Sequence, residues 1–403
     1  MNGADGTDQP LALENTPRRW HQARMTQPPL LLIPGPVQTD ARVKAAMAQD
    51  IAPWDNDTRP RYARLRERVR AIAGGIEGEH ACLPLQGCGH FVVEAALRTF
   101  VPPGGKVLIP NNGNYGVRMI RLAREAGRIP VPIEIPEGQV ATGAMVAKAL
   151  AEDPAIGIVS VVHSETATCV INPMEEIAAA VKAAGRRLIV DAVSGFGAIP
   201  FDLGAHPEAD AIVFSSNKCL EAMPGIGVAV ARIDRLEASR GNAGSWSLDL
   251  ADLLHHARTY GWGSIRFTPA IQSLAAFEAA LDIFEAEGGQ PARLARYVEN
   301  ARILHDGLAA LGLTPWLPRD RQGPIIVNMH QPPDPAFSLQ PFVDALKRRG
   351  FLISNFSTTT EPTFRVGAIG RVFPDDMRRA VAEIADTFDE MGVRHLAREA
   401  LAA

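Results

Sequence analysis

The sequence predicts an α/β fold on a mostly parallel sheet, followed by a smaller α+β unit. Three observations carry that expectation. From about residue 81 to 230, short apolar runs alternate with stretches of helical periodicity, the pattern of βα units. Two of those runs, Leu188–Val190 and Ala211–Phe214, lead into polar residues, as strands do when they deliver side chains to the carboxyl edge of an open sheet. Beyond residue 272 helices and short strands are mixed, on a chain whose 403 residues exceed the usual size of one core. The expected division is an arm over 1–28, a large unit over 29–272 and a small one over 273–403.

Composition narrows the class. With 46% hydrophobic and 21% charged residues the chain is an ordinary globular protein. A net charge of -4 gives no overall attraction to nucleic acid or an anionic membrane. Cys82, Cys88, Cys169 and Cys219 form neither a C-x-x-C pair nor a disulfide framework, which suits a reducing compartment. Residues 1–28 mix charges with Gly, Pro and Gln and hold no long apolar run, against a signal or anchor. The expectation is a cytoplasmic protein with neither membrane nor nucleic-acid partner. No metal site is expected either: His255 and His256 are adjacent, so on a helix they point about 100° apart, and no H-E-x-x-H occurs.

Taken in order, structure should begin near Leu30–Pro36, where an apolar run meets Pro-Gly-Pro. Arg59–Ile72 reads as a surface helix stopped by Gly74-Gly75. The Gly-rich turn Gln86-Gly-Cys88-Gly89-His90 precedes a helix over Val92–Phe100; such a turn exposes backbone N–H groups and the positive end of a helix dipole, where a phosphate can sit, or it packs helix on strand. Lys106–Pro110 reads as a strand, and Asn111–Gly116 as a loop carrying Tyr115, which either stacks on a flat ligand or fills the rim. Ile156–Val162 is a buried-type strand, followed by hydroxyls at Thr166 and Thr168 that bond either a ligand or their own backbone. Helices follow at Met174–Ala184, Ala270–Glu287, Pro291–Leu311, Leu339–Arg349 and Asp375–Met391, with strands at Ile325–Met329 and Phe351–Ile353. Arg365, alone in the apolar run Thr363–Gly370, must hold an internal carboxylate or a ligand anion.

Asp191 and Lys218 follow successive apolar runs and so should open on one crevice. Singly, the first reads more readily as a helix cap and the second as a surface residue. Together they are the pair a pyridoxal phosphate (PLP) enzyme needs. The lysine condenses with the cofactor aldehyde, and the aspartate keeps the ring nitrogen protonated so that the ring accepts electrons.

With Gln86-Gly-Cys-Gly-His90, His163-Ser-Glu-Thr166 and Phe364-Arg365-Val-Gly367, these residues resemble the class V aminotransferases of PLP fold type I. Pro34-Gly-Pro36, Trp54-Asp55, Ser247-Leu-Asp249-Leu and Arg266-Phe-Thr268 follow the order of the branch that acts on 2-aminoethylphosphonate. The resemblance implies a large domain with a mostly parallel sheet between helices, a small C-terminal domain, and PLP as cofactor. It implies Lys218 and Asp191 as catalytic, Cys88, Gly89 and His90 as a phosphate cup, Tyr115 against the ring, and Thr166 on the ring hydroxyl. Thr268 would cross to the phosphate of a neighbouring subunit in a homodimer with shared active sites, and Arg365 would grip the substrate anion. The implied reaction carries the amino group of the aminophosphonate to pyruvate, a 2-oxo acid, giving phosphonoacetaldehyde and alanine. An alanine or serine:glyoxylate-type transaminase, a lyase on a related amino acid or hydroxylated aminophosphonate, and a non-catalytic PLP-fold binding protein are the alternatives. Two departures mark this chain: Cys88 and His90 stand where the family has small hydroxyl residues, and Ser354-Asn-Phe-Ser357 replaces the family's Tyr-Pro-Gly-Lys.

Overall fold

The computed structural model describes residues 28–397, so the expected arm over 1–28 lies outside the described residues apart from Pro28. The chain enters through β1 (Leu30–Leu32), α1 (Ala41–Met47) and α2 (Thr58–Ile72), then runs β2 (His80–Gln86), α3 (Gly89–Phe100), β3 (Lys106–Asn111), α4 (Asn114–Glu125) and β4 (Ile129–Glu134). Next come α5 (Gly143–Glu152), β5 (Ile156–Val162), a hairpin of β6 (Ser164–Glu165) and β7 (Val170–Ile171), α6 (Met174–Ala183), β8 (Arg187–Asp191), β9 (Ala209–Ser215) and β10 (Ile226–Arg232). The remainder is α7 (Ile233–Ala238), α8 (Leu250–Tyr260), α9 (Ile271–Glu287), α10 (Gly289–Ala310), β11 (Ile326–His330), α11 (Leu339–Arg348), β12 (Phe351–Ile353), β13 (Thr363–Gly367) and α12 (Pro374–Met391).

Among these, seven strands form one sheet in the order β2-β10-β9-β8-β5-β3-β4. Every neighbouring pair is parallel except those made by β10, which runs against both β2 and β9. The mostly parallel sheet is thus as expected. Its central strands read as unbroken apolar runs because both faces are covered. Leu188, Val190, Ile212 and Phe214 pack with α2, α6 and α9 on one side. Ile189, Ala211 and Val213 pack with α3, α4 and α8 on the other.

Local sequence fixes the boundaries. Asp249 accepts from the N–H groups of Ala251 and Asp252 to start α8, and Gly288, left-handed at φ 109°, ends α9 where a Cβ would be strained. Two strands of the seven-stranded sheet, β4 and β10, escaped the sequence reading, as did the short hairpin β6–β7. β4 carries Pro130 and Pro132, which demote a run, and it sits on the sheet edge where a missing N–H is tolerated. β10, Ile-Gly-Val-Ala-Val-Ala-Arg, is small and glycine-bearing, and long-range pairing decides it.

A second core gathers Leu304 and Leu308 of α10, Phe342 of α11, Phe351 of β12, Phe364 and Val366 of β13, and Ile384 and Phe388 of α12. Leu32 joins it, since β1 pairs in parallel with β12. The segment entering the first core, Ile33–Pro36, therefore crosses from one packed unit to the other.

Candidate active site

The carboxyl ends of β2, β3, β8 and β9 lie at one edge of the sheet, and α3 and α4 begin there. Between them opens a cleft of about 190 Å³ lined by Cys88, Gly89, His90, Tyr115, Asp191 and Lys218. Six of the nine residues expected from sequence are thereby brought together. Asp191 ends β8 and Lys218 follows β9, the adjacent strand, which is why their side chains share the cleft.

Asp191 is 6% exposed, and its Oδ1 accepts from the Val193 N–H at 2.9 Å. Burial, with the Glu165 charge adding, lifts its carboxyl from the usual 3.8 to about 7. Lys218 donates from Nζ to the Pro34 carbonyl at 3.0 Å, and burial brings its amine down to about 8, so about a tenth of it is neutral at pH 7, far more than for an ordinary lysine. Gly35 leaves room for that bond. It sits at φ 140°, and a Cβ built there would fall 2.6 Å from Lys218 Cδ. Behind Lys218 the turn is anchored by a buried ionic cluster, in which Glu221 accepts from Tyr297 Oη and Arg296 Nη2, each at 2.6 Å, and Arg293 donates to the Cys219 carbonyl.

The first turn of α3 faces the cleft with no side chain capping it, and a Cβ on Gly89 would lie 2.6 Å from Val193 Cγ1. Glycine is needed there for α3 to start against the chain leaving Asp191. Tyr115, expected on a loop, belongs instead to the first turn of α4. Glu165, not singled out from sequence, makes that possible. Fully buried, it accepts from the N–H groups of Tyr115 at 2.9 Å, Gly116 at 3.3 Å and Ala167 at 3.0 Å, while burial pushes its carboxyl above the usual range. The signal available was the glycine at the N-cap of α4, Gly113, which has no side chain to cap with. Arg118, one turn further along α4, also lines the cleft and stacks over Tyr115.

Three expected residues lie outside the cleft lining. Thr166 is buried in the β6–β7 hairpin, where its carbonyl accepts from Arg365 Nη1 at 3.2 Å. Thr268 is exposed on the loop after α8. Arg365, buried at the centre of β13, has no carboxylate within ion-pair distance among the described residues, and its Nε has no hydrogen-bond partner there. Of the two readings the sequence left open for it, an ion pair with an internal carboxylate is not made among the described residues. Among the described residues no helix is long and apolar enough to cross a membrane.

The family described as Aminotransferase class-V matches residues 43–366. A 2-aminoethylphosphonate–pyruvate transaminase of Pseudomonas putida is 43% identical over 369 residues, spanning 92% of this chain and 99% of that one. One from Burkholderia lata, 2-aminoethylphosphonate–pyruvate transaminase 2, is 44% identical over 375 residues, 93% of this chain and 98% of its own. The crystal structure of pyridoxamine-pyruvate aminotransferase from Mesorhizobium loti superposes with a TM-score of 0.83 at 25% identity, covering 92% and 95% of the two chains. A match of this extent, with relatives aligned nearly end to end, leaves one assignment: the chain belongs to the class V aminotransferases and has their PLP fold type I.

Proposed function

We propose that this aminotransferase holds PLP in the cleft and moves the amino group of 2-aminoethylphosphonate to pyruvate. The observation that carries the reading is the shared cleft of Lys218 and Asp191, a half-buried amine and a buried carboxyl on adjacent strands. The residues fit the cofactor. A ring nitrogen would give the buried Asp191 the positive partner that its raised carboxyl lacks. The start of α3 offers N–H groups and a positive dipole end to a phosphate at Cys88, Gly89 and His90.

When bound, PLP supplies the electron-accepting ring that transamination requires. The chain does the rest. Lys218 Nζ would be the group that holds the cofactor aldehyde and, once released, the one that moves a proton at the amine-bearing carbon of the substrate. Asp191 would hold a proton at the ring nitrogen, Tyr115 would lie against the ring, and the Thr166 hydroxyl would serve the ring oxygen. Arg365 would take the substrate's phosphonate or carboxylate, each of which offers two oxygens to the planar fork of a guanidinium. Thr268, exposed on its own chain, would reach the phosphate held by a second copy, which makes the working unit a homodimer; its compartment in this reading is the cytoplasm.

Two names of relatives, both 2-aminoethylphosphonate–pyruvate transaminases above 40% identity, support the choice of substrates. Half-reactions test it. Added to the PLP-loaded protein, 2-aminoethylphosphonate should bleach the visible absorbance of the bound cofactor, and pyruvate should restore it. Failure of the aminophosphonate where alanine or serine with glyoxylate succeeds would overturn the substrate assignment. Arg365→Ala should raise the KM of both anionic substrates more than tenfold, the value of a charge-assisted contact to a buried anion, with the cofactor spectrum intact.

Gly35→Ala provides a second check. The new methyl group would push Lys218 off the Pro34 carbonyl, and displacement of a reacting group by about 1 Å costs on the order of a hundredfold in rate. Weakened visible absorbance of the bound cofactor should accompany the loss; wild-type turnover in this variant would free Lys218 from the geometric constraint assigned to it.

A further inference from the structure

The environment of Arg365 has a feature that the reaction alone does not explain. Across the β11–β13 ladder the residue directly opposite Arg365 is Asn328. Val327 and Met329 on one strand and Phe364 and Val366 on the other point into the C-terminal core. Alternation therefore turns Asn328 and Arg365 together to the opposite face, toward the β6–β7 hairpin whose Thr166 carbonyl accepts from Arg365. Asn328 is 0% exposed, and neither its Oδ1 nor its Nδ2 has a hydrogen-bond partner among the described residues. Arg365 Nε is in the same condition. Buried polar atoms without partners are costly and rare, and here complementary ones lie on facing residues whose Cβ atoms are about 4.5–5.5 Å apart in such a ladder.

The guanidinium is also covered on one flat face. Phe356 lays its ring there, with Arg365 Cζ 5.0 Å from the ring centroid, although the phenylalanine is 56% exposed. The loop that carries it is tied to the same hairpin, since Thr358 Oγ1 donates to the Ala167 carbonyl at 2.8 Å. Thr360 N–H adds a bond to the Glu137 carboxylate at 2.9 Å.

We infer that Asn328 and Phe356 form a neutral clamp on Arg365, with Asn328, unpartnered in this structure, as the positioning residue whose amide oxygen takes the Nε–H when the substrate's anion is bound, and Phe356 shielding one face. The clamp orients the guanidinium and leaves its whole charge, and the Nη hydrogens not taken by the Thr166 carbonyl, to the anionic group of the substrate. A carboxylate at position 328 would orient the arginine as firmly but neutralise it. The inference rests on the reading of Arg365 as the substrate's anion ligand.

Steady-state kinetics of the PLP-loaded protein with 2-aminoethylphosphonate and pyruvate test it, with melting temperatures recorded beside them. Asn328→Ala should raise both KM values about tenfold, and Asn328→Asp further, by about a hundredfold, with kcat within about threefold of wild type. Phe356→Ala, at an exposed position that does not endanger folding, should raise both KM values by about threefold to tenfold with an unchanged melting temperature. A packing role alone would lower the melting temperature of the Asn328 variants without ordering KM as wild type, then Ala, then Asp. If Arg365→Ala leaves both KM values unchanged, the reading of Arg365 fails and the clamp with it. If Arg365→Ala raises them while the Asn328 variants and Phe356→Ala do not, the clamp alone is overturned.

Discussion

Lys218→Ala is expected to abolish turnover, by a factor on the order of 10⁴ or more, and with it the visible absorbance of the covalently attached cofactor. Two tasks disappear with one amine. Proton transfer by a positioned side chain is worth about 10²–10⁴, and covalent attachment adds the orientation of the cofactor. The site is already adjusted for both. Burial brings the amine down to about 8, so near neutral pH it is divided between the neutral form that attacks an aldehyde and the charged form that returns a proton. The Pro34 carbonyl fixes the direction of Nζ, and the Glu221–Arg296–Tyr297 cluster fixes the turn from behind. A small primary amine added to the variant should recover part of the rate, because proton transfer is restored while attachment is not. Unchanged turnover without added amine would remove Lys218 from the reaction. Collapse of the melting temperature together with failure of rescue would assign the loss to folding.

Much of this site was legible because its parts obey local rules. Leu188–Val190 and Ala211–Phe214 read as buried strands, and residues after the carboxyl ends of neighbouring parallel strands must meet at one edge; that alone put Asp191 beside Lys218. Met174–Ala183 and Ile271–Glu287 were readable from helical spacing, the second stopped by Gly288. What escaped depends on contacts distant in sequence. Glu165 caps α4 from fifty residues away, across the hairpin. Asn328 meets Arg365 only through the register of two strands, and Phe356 reaches the guanidinium only because its loop is fastened to Ala167. No periodicity encodes such meetings. The same limit explains β10, whose direction is set by partners on both sides. The antiparallel return of that strand also matters to function, because it lets β2 run parallel to β9 and so places the start of α3 at the edge where Asp191 and Lys218 emerge.

Asp191→Asn should separate function from stability in opposite directions. An amide has about the size of the carboxyl but cannot carry the negative charge that keeps a ring nitrogen protonated. Loss of one such preorganised electrostatic group costs on the order of 10²–10³ in kcat. Stability of the protein stripped of cofactor should move the other way. The folded carboxyl titrates at about 7 against an ordinary 3.8, so between those values the native state holds a proton that the unfolded chain has released. The stabilising contribution of the protonated form is therefore complete below about pH 4 and is lost as pH rises through about 7. At pH 8 the buried charge is fully present, at a cost on the order of 4 kcal/mol. Removing it should make the stripped variant more stable than stripped wild type at pH 8, by up to that amount, with the gap closing toward pH 4. Denaturant unfolding at the two pH values measures the difference. Adding PLP should stabilise the wild type more than the variant at pH 8, since only the carboxylate gains a cationic partner. A gap independent of pH would mean that the carboxyl ionises freely in the cleft, and the pairing with a ring nitrogen would lose its physical basis.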